Sequence, residues 1–242
     1  MGAEMRFIVI VSLVSALTGC GDNLNLSGMP ETPPMSRERA TVTGHVVDAS
    51  GAPVAGATVV ARATGERATV DGSGAFVLDV PANTTLTLAA TGPSMATTLL
   101  QQFMISPDAS AAFEIPLVTG DHIRSLVAMG PNTSGGAIAI SLKSLSGASI
   151  SAPSATVELT PSNLGAVLYA PSRGKMPDPD PSLTSIAGVA WALGVQPHVS
   201  IMKLTLHGMP QVEPPYAIDD VMWPGTFTVD AGALTLVTLV TP

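Results

Sequence analysis

The sequence predicts an all-β protein made of two tandem sandwiches of short strands behind an N-terminal leader. Three observations predict it. Runs of four to eight residues rich in Val, Ile and Thr recur, with a turn cluster every eight to twelve residues. Gly (23) and Pro (21) are plentiful among 242 residues, so turns punctuate the chain throughout. The strand-and-turn pattern of residues 41–119 returns, more divergent, in residues 135–242. Composition narrows the function classes. Hydrophobic residues are 46% and charged residues 12%, which is not the make-up of a disordered tail. Lys and Arg total 10 against 18 Asp and Glu, a net charge of -8. A nucleic-acid partner needs clustered cations to neutralise phosphate, and a basic membrane patch needs them too, so both are excluded. The single Cys permits no intrachain disulfide.

Residues 1–19 read as a secretory signal peptide. Arg6 closes a short polar start, an apolar run extends from Phe7 to Leu17, and the small residues Thr18 and Gly19 follow. The run is shorter than the roughly 20 apolar residues of a spanning helix. Leu17-Thr18-Gly19-Cys20 resembles the lipobox of bacterial lipoproteins. That resemblance implies that Cys20 is acylated and becomes the mature N-terminus. Gly21, in place of Asp, implies sorting to the outer membrane of a diderm envelope. Several acyl chains on one residue suffice for stable anchoring, and they give the lone thiol a role in an oxidising compartment. Residues 20–40 thus comprise the lipidated Cys20 and a tether rich in Asn, Ser, Gly and Pro, with no hydrophobic period.

Residues 41–119 hold the first sandwich. Thr41 to Val47 is a β-branched run that ends at the turn cluster Asp48-Ala-Ser-Gly51. Ala52 to Val60 is a turn leading into a second strand, and Asp71 to Gly74 is a turn before a third, Ala75 to Val80. Thr84 to Ala90 alternates polar and apolar residues, as a half-buried strand does. Ala112 to Val118 closes the unit. Gly44 to Val59, Thr69 to Phe76 and Leu78 to Pro81 together resemble the carboxypeptidase regulatory-like domain. The resemblance implies a transthyretin-like β-sandwich with no catalytic residues of its own. It implies no particular partner, since function lives in sites carried by a fold.

Residues 120–134 are a linker with one short helix over Asp121 to Gly130. Asp121 is the predicted N-cap, Ile123, Leu126 and Val127 share a face, and Gly130 stands at the stop. Residues 135–242 then repeat the first sandwich. Gly136 to Gly147 stands for Thr43 to Gly51, Ala155 to Val157 for Ala57 to Val59, and Thr184 to Gly188 for Thr69 to Gly74. Leu193 to Pro197 stands for Leu78 to Pro81, and Ser200 to Leu206 for the Thr84 strand. Thr226 to Val229 and Ala233 to Val240 are the last predicted strands, and Ala166 to Leu183 is a long insert tipped by Arg173 to Pro181.

The candidate sites are few. His45, His122, His198 and His207 show neither a zinc-protease spacing nor pairing with Cys, so no metal is assigned to them. Asp48 and Asp71 begin Gly-containing turns, which explains them locally. Asp178 and Asp180 alternate with Pro177, Pro179 and Pro181 on a stiff loop. They are weak calcium candidates, because two carboxylates fall short of the six to eight oxygens calcium takes. Trp191 belongs in the core. Trp223 lies in the turn-rich stretch Asp219 to Gly225 with Tyr216 nearby. Trp223, Tyr216, Asp219 and Asp220 are therefore the candidate ligand-binding set: an aromatic face stacks on a sugar ring and carboxylates take its hydroxyls. The competing reading places Trp223 as a cap on the sandwich end. Lys143 in the first strand of the second sandwich is similar to the crosslinking Lys of collagen-adhesin B-type domains. That resemblance implies an amide bond to a last-strand acid, here Asp230, assisted by Glu158; an exposed strand Lys is the plainer account.

These observations point to a non-catalytic, lipid-anchored protein of the bacterial cell envelope, acting as a spacer or protein-interaction module. It uses no cofactor, touches the membrane through its N-terminal lipid, and meets an envelope protein. The alternative is a carbohydrate-binding lipoprotein that holds a glycan in loops of the second sandwich.

Overall fold

The computed structural model describes residues 38–242, apart from 153, 172–175, 187–188 and 199–201. The signal peptide, Cys20, the tether up to Arg37 and part of the insert tip lie outside the described residues. The first half carries β1 (Arg39–Asp48), β2 (Thr58–Ala61), β3 (Arg67–Thr69), β4 (Ala75–Pro81), β5 (Leu88–Thr91), β6 (Thr98–Leu100), β7 (Met104–Ile105) and β8 (Ser110–Leu117). Helix α1 (Gly120–Val127) follows. The second half carries β9 (Gly136–Ser144), β10 (Thr156–Thr160), β11 (Ala166–Ala170), β12 (Val189–Val195), β13 (Lys203–His207), β14 (Tyr216–Ile218), β15 (Val221–Trp223) and β16 (Leu234–Thr241). The protein is all-β, as predicted.

β1 shows why these residues make strands. Ala40, Val42 and Val46 face the core while Thr41, Thr43 and His45 face out, the period of two that a one-sided strand requires. It pairs antiparallel with β4 and parallel with β8. Gly44 sits where only hydrogen fits, since a Cβ there would lie 2.1 Å from the Phe113 carbonyl oxygen and 2.8 Å from the Phe76 ring. The sheet β4-β1-β8 packs through Val42, Phe76, Leu78 and Ile115 against Val59, Leu88 and Ala90 of a second sheet.

The two halves share a pattern of strand pairing. β9 pairs antiparallel with β12 and parallel with β16, as β1 does with β4 and β8. β10 pairs antiparallel with β13, as β2 does with β5. The turns agree bond for bond. Gly51 N donates to Asp48 O and Gly147 N to Ser144 O, both at 2.9 Å, and Val54 N to Val46 O matches Ile150 N to Leu142 O, both at 3.0 Å. Both glycines have positive φ, 89° and 79°, so the turn needs glycine in each copy. Val70 N to Ala57 O (2.8 Å) likewise matches Ile186 N to Ala155 O (2.9 Å).

The halves are nevertheless joined through their sheets. β16 pairs in parallel with β6, so one sheet of eight strands runs β11-β12-β9-β16-β6-β5-β2-β3 through both halves. A second seam joins β15 to β7. Through it Val221 enters the first half's core, with Trp223 packed against that core. In the second half the long sheet is covered on both faces. Ile138, Ile140 and Leu142 of β9 meet Val157, Leu204 and Leu206 on one side. Ala137, Ala139, Trp191 and Leu193 meet Ile123, Leu126 and Val127 of α1 on the other. Strands covered on both faces read as continuous apolar runs, which is how Ala137-Ile-Ala-Ile and Ala190-Trp-Ala-Leu appear.

Several local expectations are corrected. The N-cap of α1 is Thr119, whose side chain accepts from His122 N; Asp121 lies in the first turn. The insert begins with a strand, β11, because Ala166-Val-Leu-Tyr-Ala170 pairs with β12. Trp223 ends a strand, because Asp219-Asp220 turns a hairpin with Asp219 at φ 52°, a conformation Asp tolerates. Thr226 to Val229 forms no strand: Thr226 and Thr228 bond instead to Gln102 and Thr235 side chains.

Candidate functional site

A cleft of about 960 Å³ opens between the two halves. β8 lines it from Ser110 to Glu114, with β9, the turn after β9, β16 and the β14–β15 hairpin. Phe113, Trp223, Leu236, Ile150, Ile218 and Met176 line it together with polar side chains such as Gln101, Glu114, Lys143 and Asp219. An aromatic and apolar wall interspersed with polar groups is compatible with a binding cavity.

The aromatic side is built from both halves. Phe103 and Phe113 have ring centroids 4.9 Å apart, and Trp223 stands 5.9 Å from Phe103 and 6.1 Å from Phe113, edge-on to the latter at 89°. Separations of 4.5–7 Å with tilted planes are the favourable ones. Trp223 therefore caps the first sandwich while lining the cleft. Its Nε1 is buried with no hydrogen-bond partner.

The seam beside the cleft is held by a buried amide. Gln101 is 2% exposed, at the point where β6 stops pairing with β16. Its Oε1 accepts from Thr238 N at 2.9 Å, and its Nε2 reaches Tyr216 Oη at 3.5 Å. Tyr216 in turn donates to Thr238 O at 2.8 Å. Burial pushes the Tyr216 phenol above its ordinary value, with Gln101 opposing in part. Farther along, Arg62 pairs with Asp230 at 2.7 Å, and Thr226 Oγ1 donates to Gln102 Oε1.

The structure brings together some of the residues singled out in the sequence. Trp223, Asp219 and Lys143 line the cleft. Tyr216 is 8% exposed with its hydroxyl committed inward, and Asp220 is exposed at the hairpin turn. Asp178 pairs with His122 at 3.1 Å. Asp180 closes a turn by accepting from Ser182 N (2.9 Å) and Ser182 Oγ (2.6 Å). The same Asp-x-Ser turn occurs at Asp48 and Asp71. In all three the Ser hydroxyl is the leading cause holding the carboxyl below its ordinary range, helped by main-chain N–H groups.

The crosslink geometry is not formed. Glu158 pairs with His207 at 2.9 Å and Asp230 with Arg62. Asp230 lies beside Gly136 at the start of β9. Lys143 is seven residues on, about 23 Å at 3.3 Å per residue, opposite Val240. Among the described residues no three His, Cys, Asp or Glu side chains gather to hold a metal ion. No described helix is long and apolar enough to cross a membrane. Sequence reasoning missed Phe113 and the β8 edge as site elements, because Ala-Ala-Phe-Glu-Ile carries no binding signature by itself.

Residues 41–118 match the carboxypeptidase regulatory-like domain family. No curated protein matches the chain. Among solved structures, the chain is similar to one from a type II cohesin–X–dockerin complex of Acetivibrio cellulolyticus. That match has 22% identity and a TM-score of 0.30, and covers 34% of this chain and 59% of the other. The chain thus spans less than two thirds of that structure's length. The Bacillus anthracis TIE protein matches at 10% identity and a TM-score of 0.29 over 84% of this chain and 34% of its own. The shaft pilin SpaA of Lactobacillus rhamnosus GG matches at 8% identity and a TM-score of 0.21 over 85% of this chain and 98% of its own.

Proposed function

We propose that this protein is a non-catalytic interaction module of the cell envelope and that the cleft between its halves is the contact surface. The cleft itself carries the reading. It is large, aromatic, apolar and polar groups share its lining, and strands from both halves contribute to its walls. The carboxylates whose ionisation is shifted owe the shift to closing turns, a local structural role. A second reading, glycan binding, draws on Trp223 and Asp219 both lining the cleft. Against it, the Trp223 ring is packed on Phe103 and Phe113.

Parallel peptide and glycan panels, read with Ser149→Arg, test the assignment. Ser149 is exposed and lines the cleft, so an Arg there obstructs the space without disturbing the core. Peptide ligands weakened by Ser149→Arg are expected; glycan ligands weakened by Trp223→Phe would replace the reading with the second one. Turnover of a hydrolase substrate panel, lost in Asp178→Asn or Asp180→Asn, would contradict a non-catalytic role. The membrane attachment rests on Leu17-Thr18-Gly19-Cys20. Cys20→Ser is expected to move the protein from the detergent phase to the soluble or unprocessed fraction, because acyl burial at about 0.8 kcal/mol per CH₂ dominates the attachment of an acidic chain. Equal membrane retention of the cleaved variant would contradict it.

A further inference from the structure

The repeat makes the two sandwiches comparable strand by strand, and one strand differs in its surroundings. β8 in the first sandwich corresponds to β16 in the second. Pro116 stands opposite Val47 as Val240 stands opposite Lys143, and Ser110 opposite Thr41 as Leu234 opposite Ala137. Ser110 and Ala112 therefore correspond to Leu234 and Leu236.

In the second sandwich that edge is covered by an added strand. Leu234 N donates to Thr97 O and Gln101 N to Leu236 O, both at 2.9 Å, as β6 runs parallel along β16. In the first sandwich no strand among the described residues pairs there, and β8 is the edge of its sheet. The direction of its main-chain groups follows from the ladder. Thr41 N donates to Ala109 O at 3.1 Å, so the odd-numbered residues of β8 turn to β1. Ser110 and Ala112 turn their N–H and C=O the opposite way. Pro116 shares their parity, where its missing N–H is harmless, and its carbonyl accepts from Thr98 Oγ1 at 2.9 Å on that side. This edge lines the cleft from Ser110 to Glu114.

We propose that the β8 edge receives an extended peptide segment of a partner protein, added as a parallel strand in the way β6 is added to β16. The inference rests on the reading of the cleft as a contact surface and specifies its ligand. A row of main-chain donors and acceptors selects another extended backbone. Alternate side chains of the incoming strand fall on the face of Phe113, beside Trp223 and Leu236, so the segment carries apolar residues at every second position. A second copy of this chain fits less well, because two β8 edges related by a two-fold axis run antiparallel, whereas the internal precedent is parallel.

The test uses the full chain and a displayed library of linear dodecapeptides, followed by synthetic versions of the peptides selected. N-methylation along a bound peptide is expected to weaken binding about tenfold at alternate residues and little between them, the mark of a main-chain ladder. Ala112→Pro removes one edge N–H and is expected to weaken binding similarly, while Val77→Glu on the outer face of β4 leaves it unchanged. Should Ala112→Pro fail to fold, the N-methyl scan on the unaltered protein still decides. A flat N-methyl response with binding still lost in Ser149→Arg would refute strand addition and leave the contact surface standing. Binding indifferent to Ser149→Arg would remove the contact surface as well. A library without binders, or dimerisation through β8, would also overturn the proposal.

Discussion

At the scale of single residues, Asp-x-Ser turns and the Trp223 cluster carry the clearest expectations. Asp71 accepts from Ser73 Oγ, Ser73 N and Ala75 N at 2.7–2.9 Å, and its carboxyl is held below its ordinary range. A depressed carboxyl contributes stability that is present above its unfolded pKa of about 3.9 and is lost as pH falls through its folded value. Asp71→Asn keeps the acceptor but cannot titrate. Its urea midpoint is expected to fall less steeply than that of the parent between about pH 4 and pH 2; identical slopes would contradict the assignment. Trp223→Ala empties a site shared by Phe103 and Phe113 and is expected to cost about 2–4 kcal/mol. Trp223→Phe is expected to cost under about 1.5 kcal/mol, since it keeps most of the ring and removes an unsatisfied buried donor. Equal losses in chemical denaturation would contradict this account of the ring packing.

At the scale of elements, the seam depends on β6, β16 and the Gln101 amide that continues their pairing. Gln101→Ala strands Thr238 N, a main-chain donor in the middle of β16, and is expected to cost about 1–3 kcal/mol. A change under about 0.5 kcal/mol would show that the seam is held by β6 pairing alone. This seam is also where the sequence was least legible. The strands of the first half, the repeat, the buried face of α1 and the core position of Trp191 all follow from local periodicity and turn chemistry. β6 does not, because Thr98-Leu-Leu100 is three residues long and each residue's pairing partner is 136 positions away in the register Leu234↔Thr98. No local pattern encodes such a contact. β15 was obscured in the same way, its three residues lying between Asp219-Asp220 and Pro224 and pairing with the two-residue β7. Thr226 to Val229 shows the converse: β-branched residues propose a strand, but nearby Gln and Thr side chains take up its polar groups.

At the scale of the whole molecule, two halves with like strand pairing form one compact unit, Arg37–Pro242, by sharing a sheet. Each half keeps an apolar pack, yet the second half supplies Val221 and Trp223 to the first, and the covering of α1 draws on Val118, Ala96, Trp191 and Leu234 together. The cleft exists only because the halves meet, and the open β8 edge lines it. The two halves are therefore expected to unfold as one body. Native-state hydrogen exchange in increasing urea, followed by mass spectrometry on the full chain, tests it most directly. Peptides from β1, β4 and β8 and peptides from β10, β12 and β13 are expected to merge onto one opening reaction with a common urea dependence. Two opening reactions, one for each half, with different free energies and urea dependences, would contradict the claim and make the shared sheet a contact between independent domains.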